Sequence, residues 1–134
     1  MSARLSRLLA PLAMGAALGL AACHPAAPDT RQTPGVEDAW VRLAPLPDRP
    51  AAAYLVIRGG AAPDRLVAMS SPKAGRVELH ASGMHAGMAT MDAIDGVTVP
   101  AGGKAALAPG GDHAMLFGVD PAVRPGHPLP LTLR

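Results

Sequence analysis

Four residues of this 134-residue chain combine the types and spacing that metal chemistry requires: His80, Met91, His113 and Met115. The last two sit one residue apart in the apolar run Gly111-Asp112-His113-Ala114-Met115-Leu116-Phe117. Read as a strand, that run sends both side chains to one face, about 7 Å apart along the chain. His80 and Met91 frame a Gly-rich excursion that carries Gly83 and Gly87. Two imidazoles and two thioethers form a soft donor set, which suits Cu(I) better than hard cations. Met84, His85 and Met88 lie inside the excursion and are candidates for auxiliary or second-metal donors. A lone Met in an apolar stretch is ordinarily core filler, so it is the joint spacing that singles these residues out. Met69 by the same logic reads as core, and His127, between Gly126 and Pro128, as a turn residue. Asp112 is a candidate acceptor for the neighbouring imidazole, and Glu78 reads as a solvated strand residue. Imidazoles ligate when neutral, so Cu(I) affinity is expected to fall below about pH 6.

The elements that must position these residues are short. Apolar runs separated by Pro/Gly turns predict strands near Val36–Leu43, Ala51–Arg58, Arg65–Ser70, Val77–His80, Thr90–Ile94, Ala105–Ala108, His113–Val119 and Leu129–Leu133. Such a series of strands, with no amphipathic stretch of helical length, predicts an all-β fold, an antiparallel β-sandwich or barrel. Val77 and Leu79 would face its core and His80 the opposite side. The excursion from Gly83 to Gly87 reads as a loop that returns the chain to Met91 at modest entropic cost.

The amino terminus sets the compartment. Arg4 and Arg7 precede an apolar stretch ending Leu20-Ala21-Ala22-Cys23, too short and too rich in small residues for a spanning helix. This resembles the lipobox of bacterial lipoprotein signals, which implies removal of residues 1–22 and acylation of Cys23. Acyl chains contribute about 0.8 kcal/mol per buried CH₂ and anchor a protein stably when two or three are present. His24 rather than Asp follows the Cys, and by resemblance to known sorting rules this points to the outer membrane in a Gram-negative cell. Residues 23–34 then form a Pro-rich tether and residues 35–134 one domain. Without residues 1–22 the charges balance, although the full chain carries a net charge of +2. With no basic cluster and three aromatic residues, nucleic-acid binding is not expected. Cys23 is the one cysteine, so intrachain disulfides and redox Cys pairs are excluded, and its acylation would leave no free thiol for a metal site. Thioether ligands make sense in an oxidising compartment, because Met cannot form disulfides.

The spacing His80, ten residues, Met91, twenty-one residues, His113, one residue, Met115 resembles the signature of the PCu(A)C family of periplasmic copper chaperones. The flanks are similar too: Ala39-Trp40-Val41-Arg42, Ala53-Tyr54-Leu55, Val77-Glu78-Leu79-His80, Val99-Pro100-Ala101-Gly102-Gly103, Leu107-Ala108-Pro109-Gly110-Gly111 and Pro130-Leu131-Thr132-Leu133. The resemblance covers roughly residues 35–134 and implies a cupredoxin-like antiparallel β-sandwich with a surface Cu(I) site. It also implies a monomer that delivers copper to the copper-bearing subunit of cytochrome c oxidase, alongside Sco-like proteins, on the periplasmic side of a membrane. Two features depart from the family pattern. Ala81 stands where some members carry a second Met, and the sequence stops at Arg134, where members usually continue into a last edge strand.

Other functions are disfavoured by what is absent. No Ser/His/Asp or Cys/His constellation with a local signature is present, and the acidic residues are scattered, so an enzyme is not expected. Blue-copper electron transfer needs a Cys thiolate. A copper buffer would use the same ligands without a dedicated acceptor, and a structural surface lipoprotein would show no metal dependence.

Overall fold

Alternation governs the central strands. In Ala51–Arg58 the residues Ala51, Ala53, Leu55 and Ile57 are buried, and in Asp112–Val119 Ala114 and Leu116 are fully covered. Period-2 burial of this kind means a sheet with one face in the core. The computed structural model describes residues 33–134, so the proposed signal, Cys23, His24 and most of the tether lie outside the described residues.

Ten strands follow in order: β1 Gly35–Arg42, β2 Ala51–Arg58, β3 Asp64–Leu66, β4 Met69–Ser70, β5 Ala74–His85, β6 Met88–Ala93, β7 Val97–Val99, β8 Lys104–Leu107, β9 Asp112–Val119 and β10 Thr132–Leu133. The main sheet runs β1-β2-β9-β5-β6, with β8 added alongside β2, and every pairing is antiparallel. Two small sheets, β3-β7 and β4-β10, form the second layer. The core joins the inner face of the main sheet (Leu55, Leu79, Leu107, Leu116) to Leu66, Met69, Val97 and Val99 of the small sheets. This is the expected all-β sandwich, and Met69 is core as read.

Several boundaries differ from expectation for physical reasons. The Arg65–Ser70 run splits, because Asp64–Leu66 pairs with β7 whereas Met69–Ser70 pairs with β10. Between them, Val67 and Ala68 donate their amides to the Arg134 carbonyl. The Leu129–Leu133 strand shortens to Thr132–Leu133. Strand β7 was not expected, since three residues carry too little pattern to register. The largest correction concerns Gly83–Gly87, read as a loop. Strand β5 runs on to His85 and β6 begins at Met88, so the turn is only Ala86-Gly87. Both turn residues have positive φ, 48° and 80°, as a two-residue hairpin of matching twist requires. Ala86 stands where such a turn usually shows Asn or Asp, which hid the hairpin from sequence reading.

A bulge between Glu37 and Trp40, with Asp38 at φ 51°, re-aims β1 so that Trp40 lies opposite Tyr54. Glu37 accepts hydrogen bonds from Arg58 on β2 and Lys104 on β8, tying three strands together at the surface. The Lys104 and Arg58 cations hold its carboxyl below the usual carboxylate range.

Candidate metal centre

The outer face of the main sheet collects the residues singled out in the sequence. His80 on β5 lies directly opposite His113 on β9. Residues two apart on a strand share a face, so Met115 stands beside His113, and it pairs across to Glu78 and Ala52. On the other flank Met91 of β6 pairs with Ser82, two residues beyond His80. All four residues therefore occupy one face. Met115 and Met91 lie on opposite sides of the His80–His113 row. The alternate residues Leu79, Ala114 and Leu116 anchor the same strands in the core, which fixes the register of the outward set.

The two imidazoles are 6.0 Å apart, centroid to centroid, and tilted by 29°. His113 is 5 % exposed and contacts the Tyr54 ring at 6.4 Å, and Tyr54 in turn packs on Trp40 at 4.5 Å. His113 Nδ1 lies 2.9 Å from the Gly111 carbonyl oxygen. A carbonyl only accepts, so Nδ1 carries the proton and Nε2 presents its lone pair. His80 is held the other way round. Its Nε2 lies 3.1 Å from Glu78 Oε2, and a carboxylate likewise only accepts. The proton is then on Nε2 and the lone pair on Nδ1. That Nδ1 is buried, and among the described residues nothing hydrogen-bonds to it. Buried polar atoms without partners are rare in folded proteins and call for an explanation.

Glu78 is itself oriented. Arg76 Nε donates to Glu78 Oε1 at 2.7 Å, and the Arg76 guanidinium lies 4.0 Å from the Phe117 ring centroid. The hydrogen bond from Arg76, and after it the contact with His80, keep the Glu78 carboxyl below the usual carboxylate range. It therefore remains an anion beside His80 at neutral pH. An anionic acceptor behind an imidazole raises the basicity of the other ring nitrogen. Glu78, read from sequence as merely solvated, holds one of the two imidazoles in place. Its i−2 spacing from His80 on a strand was the available signal, since both residues must share a face. Asp112 does not take the acceptor role considered for it, because the Gly111 carbonyl holds His113 instead.

The hairpin candidates separate by face. Met84 follows Ser82 on the outer side, whereas His85 and Met88 oppose each other on the other side. Met84, Met88 and Met91 are 71 %, 69 % and 60 % exposed. Among the described residues no cluster of three or more His, Cys, Asp or Glu is arranged to hold a metal ion. The imidazoles of His80 and His113 and the thioethers of Met91 and Met115 are the candidate donors this face presents together. That chemistry selects soft cations.

Comparisons with known proteins agree with this architecture. Residues 35–134 match the family model described as "LpqE-like: Putative lipoprotein LpqE-like". The "Putative lipoprotein Lxx21020" of Leifsonia xyli subsp. xyli (strain CTCB07) is 35% identical over 125 residues, covering 87% of this chain and 75% of that protein. Two solved structures share the fold. The "Copper-bound PCuAC domain from PmoF2" aligns with a TM-score of 0.61 at 24% identity, covering 75% of this chain and 79% of that one. The "Apo PCuAC domain from PmoF1" aligns at 0.60 with 29% identity, covering 75% and 80%. The resemblance drawn from the sequence motifs and the cupredoxin-like fold it implied are both borne out, and the chain belongs to the LpqE-like lipoproteins of the PCuAC family.

Proposed function

We propose that the outer face of the main sheet binds Cu(I) and that the protein hands this ion on as an exported copper chaperone. His80 Nδ1 and His113 Nε2 supply the nitrogen ligands, Met115 a thioether from the neighbouring strand position, and Met91 a thioether from the hairpin. The observation that carries this reading is the buried, unpartnered His80 Nδ1 beside an imidazole whose Nδ1 is already committed. The spacing supports it. With metal–imidazole bonds of about 2 Å, rings 6.0 Å apart between centroids are within reach of one shared ion. The shared fold with a copper-bound PCuAC domain supports it as well.

Cu(I) with neutral donors keeps its positive charge, partly offset by the Glu78 carboxylate behind His80. Met91 is exposed, so an acceptor's ligand can displace its thioether while the imidazoles still hold the ion. Release would then pass through a shared, mixed-ligand intermediate, with no oxidation or reduction and no catalytic residue. Acylation at Cys23 would keep the domain at the periplasmic side of a membrane, which in a Gram-negative cell would be the outer membrane by the residue that follows it. The acceptor proposed from the family resemblance is the copper centre of cytochrome c oxidase, with Sco-like proteins as co-workers.

Transfer tests the proposal. The Cu(I)-loaded protein, mixed with the apo copper domain of an oxidase, is expected to lose its copper to that domain within minutes, at a rate that rises with acceptor concentration. Retention of copper despite a tighter acceptor would instead mark the protein as a buffer.

A further inference from the structure

Met84 is left unused by the four-ligand reading, yet the register places it deliberately. It pairs with Ala89, whereas Met91 pairs with Ser82, so Met84 and Met91 are diagonal neighbours on the outer face. Diagonal positions of an antiparallel pair are about 7–8 Å apart at the backbone, within reach of long side chains. The two methionines line one open groove with Ser82, Thr90 and Gly110. This groove lies beyond the His80–His113 row, on the side away from Met115. Pairing of β9 with β5 stops at Asp112 opposite Ala81, and the Ser82 amide donates to the Gly111 carbonyl. From there outward the hairpin projects with its thioethers in solvent, 71 % and 60 % exposed. Met normally fills apolar interiors, so two solvated thioethers facing one groove are poor packing but good soft-metal donors.

We propose that Met84 and Met91 form an outer two-thioether site that captures Cu(I) before it reaches the imidazoles. Met91 belongs to both sites and is the pivot. The ion exchanges the Met84 sulfur for His80 Nδ1 and then gains His113 and Met115, remaining Cu(I) throughout. This inference rests on the copper reading of the same face. It also sorts the hairpin donors, since Met88 and His85, on the opposite side, take no part.

The test uses Ag(I) as a redox-inert stand-in for Cu(I) and protein labelled with ¹³C at its Met methyl groups. In the parent protein the first equivalent is expected to shift the Met115 and Met91 methyls. In His113→Ala, with the inner site crippled, Met84 and Met91 should shift together while Met88 and buried Met69 stay fixed. Adding Met84→Leu to that variant should weaken the residual Ag(I) affinity at least ten-fold, whereas adding Met88→Leu should leave it unchanged. A silent Met84 methyl in His113→Ala, or a Met88 shift as large as that of Met84, overturns the outer site while leaving the inner one standing. No shift at any methionine of the parent protein would sink both readings.

Discussion

His113→Ala is expected to weaken Cu(I) binding at least a thousand-fold, a loss of about 4 kcal/mol at about 1.4 kcal/mol per decade. The size follows from how completely this ring is prepared. Burial at 5 % exposure, the Nδ1–H bond to the Gly111 carbonyl and the Tyr54 contact fix its position and tautomer before any metal arrives. Removing it takes away a ligand that costs no reorganisation, and no other described His, Cys, Asp or Glu completes a cluster in its place. The fold should survive. His113 points to the outer face, while the core neighbours Ala114 and Leu116 are untouched, so a stability loss of about 1–2 kcal/mol is expected. Competition against a chromogenic Cu(I) chelator measures the first effect and urea unfolding the second. Parent-like affinity in this variant would remove His113 from the ligand set.

Glu78→Gln should weaken Cu(I) binding about ten- to a hundred-fold, the usual cost of losing an acceptor behind a metal-bound imidazole. The substitution keeps the size of the side chain but removes the anion that accepts from both Arg76 and His80. A neutral amide can donate as well as accept, so His80 would no longer be confined to the Nε2–H tautomer. Long-range ¹⁵N–¹H correlation spectra of the apo protein read this directly. A single Nε2–H form is expected in the parent and a mixture in Glu78→Gln. A merely structural Glu78 would alter stability without changing the tautomer. Unchanged tautomer and unchanged affinity together would contradict the positioning role.

The fold and the candidate face were legible to different depths. Strand β2 is legible residue for residue, because its apolar run lies between Pro50 and Gly59. The grouping of His113 with Met115 follows from parity along one strand, and that of His80 with Met91 from the short Gly-bearing excursion between them. What parity could not show was which strands are neighbours. The facing of His80 and His113 comes from the β5–β9 pairing, a contact between residues 33 positions apart. The β5–β6 hairpin was missed because Gly83 and Gly87 looked like loop residues and Ala86 is an unusual occupant of a positive-φ turn. Very short strands such as β7 are held by tertiary pairing with β3 rather than by local preference. Glu78 was undervalued for a related reason. Its chemistry depends on Arg76 and His80 flanking it on one face, and a solvated glutamate has the same local sequence.

The proposed function requires this sheet face to be a mixed imidazole–thioether Cu(I) site. The most direct measurement is titration of the protein with Cu(I) against a chromogenic chelator, followed by X-ray absorption at the copper edge of the loaded form. One equivalent held in competition with the chelator, with both nitrogen and sulfur neighbours around copper, is the predicted result. Copper surrendered completely to the chelator, or bound with nitrogen and oxygen neighbours alone, would contradict it.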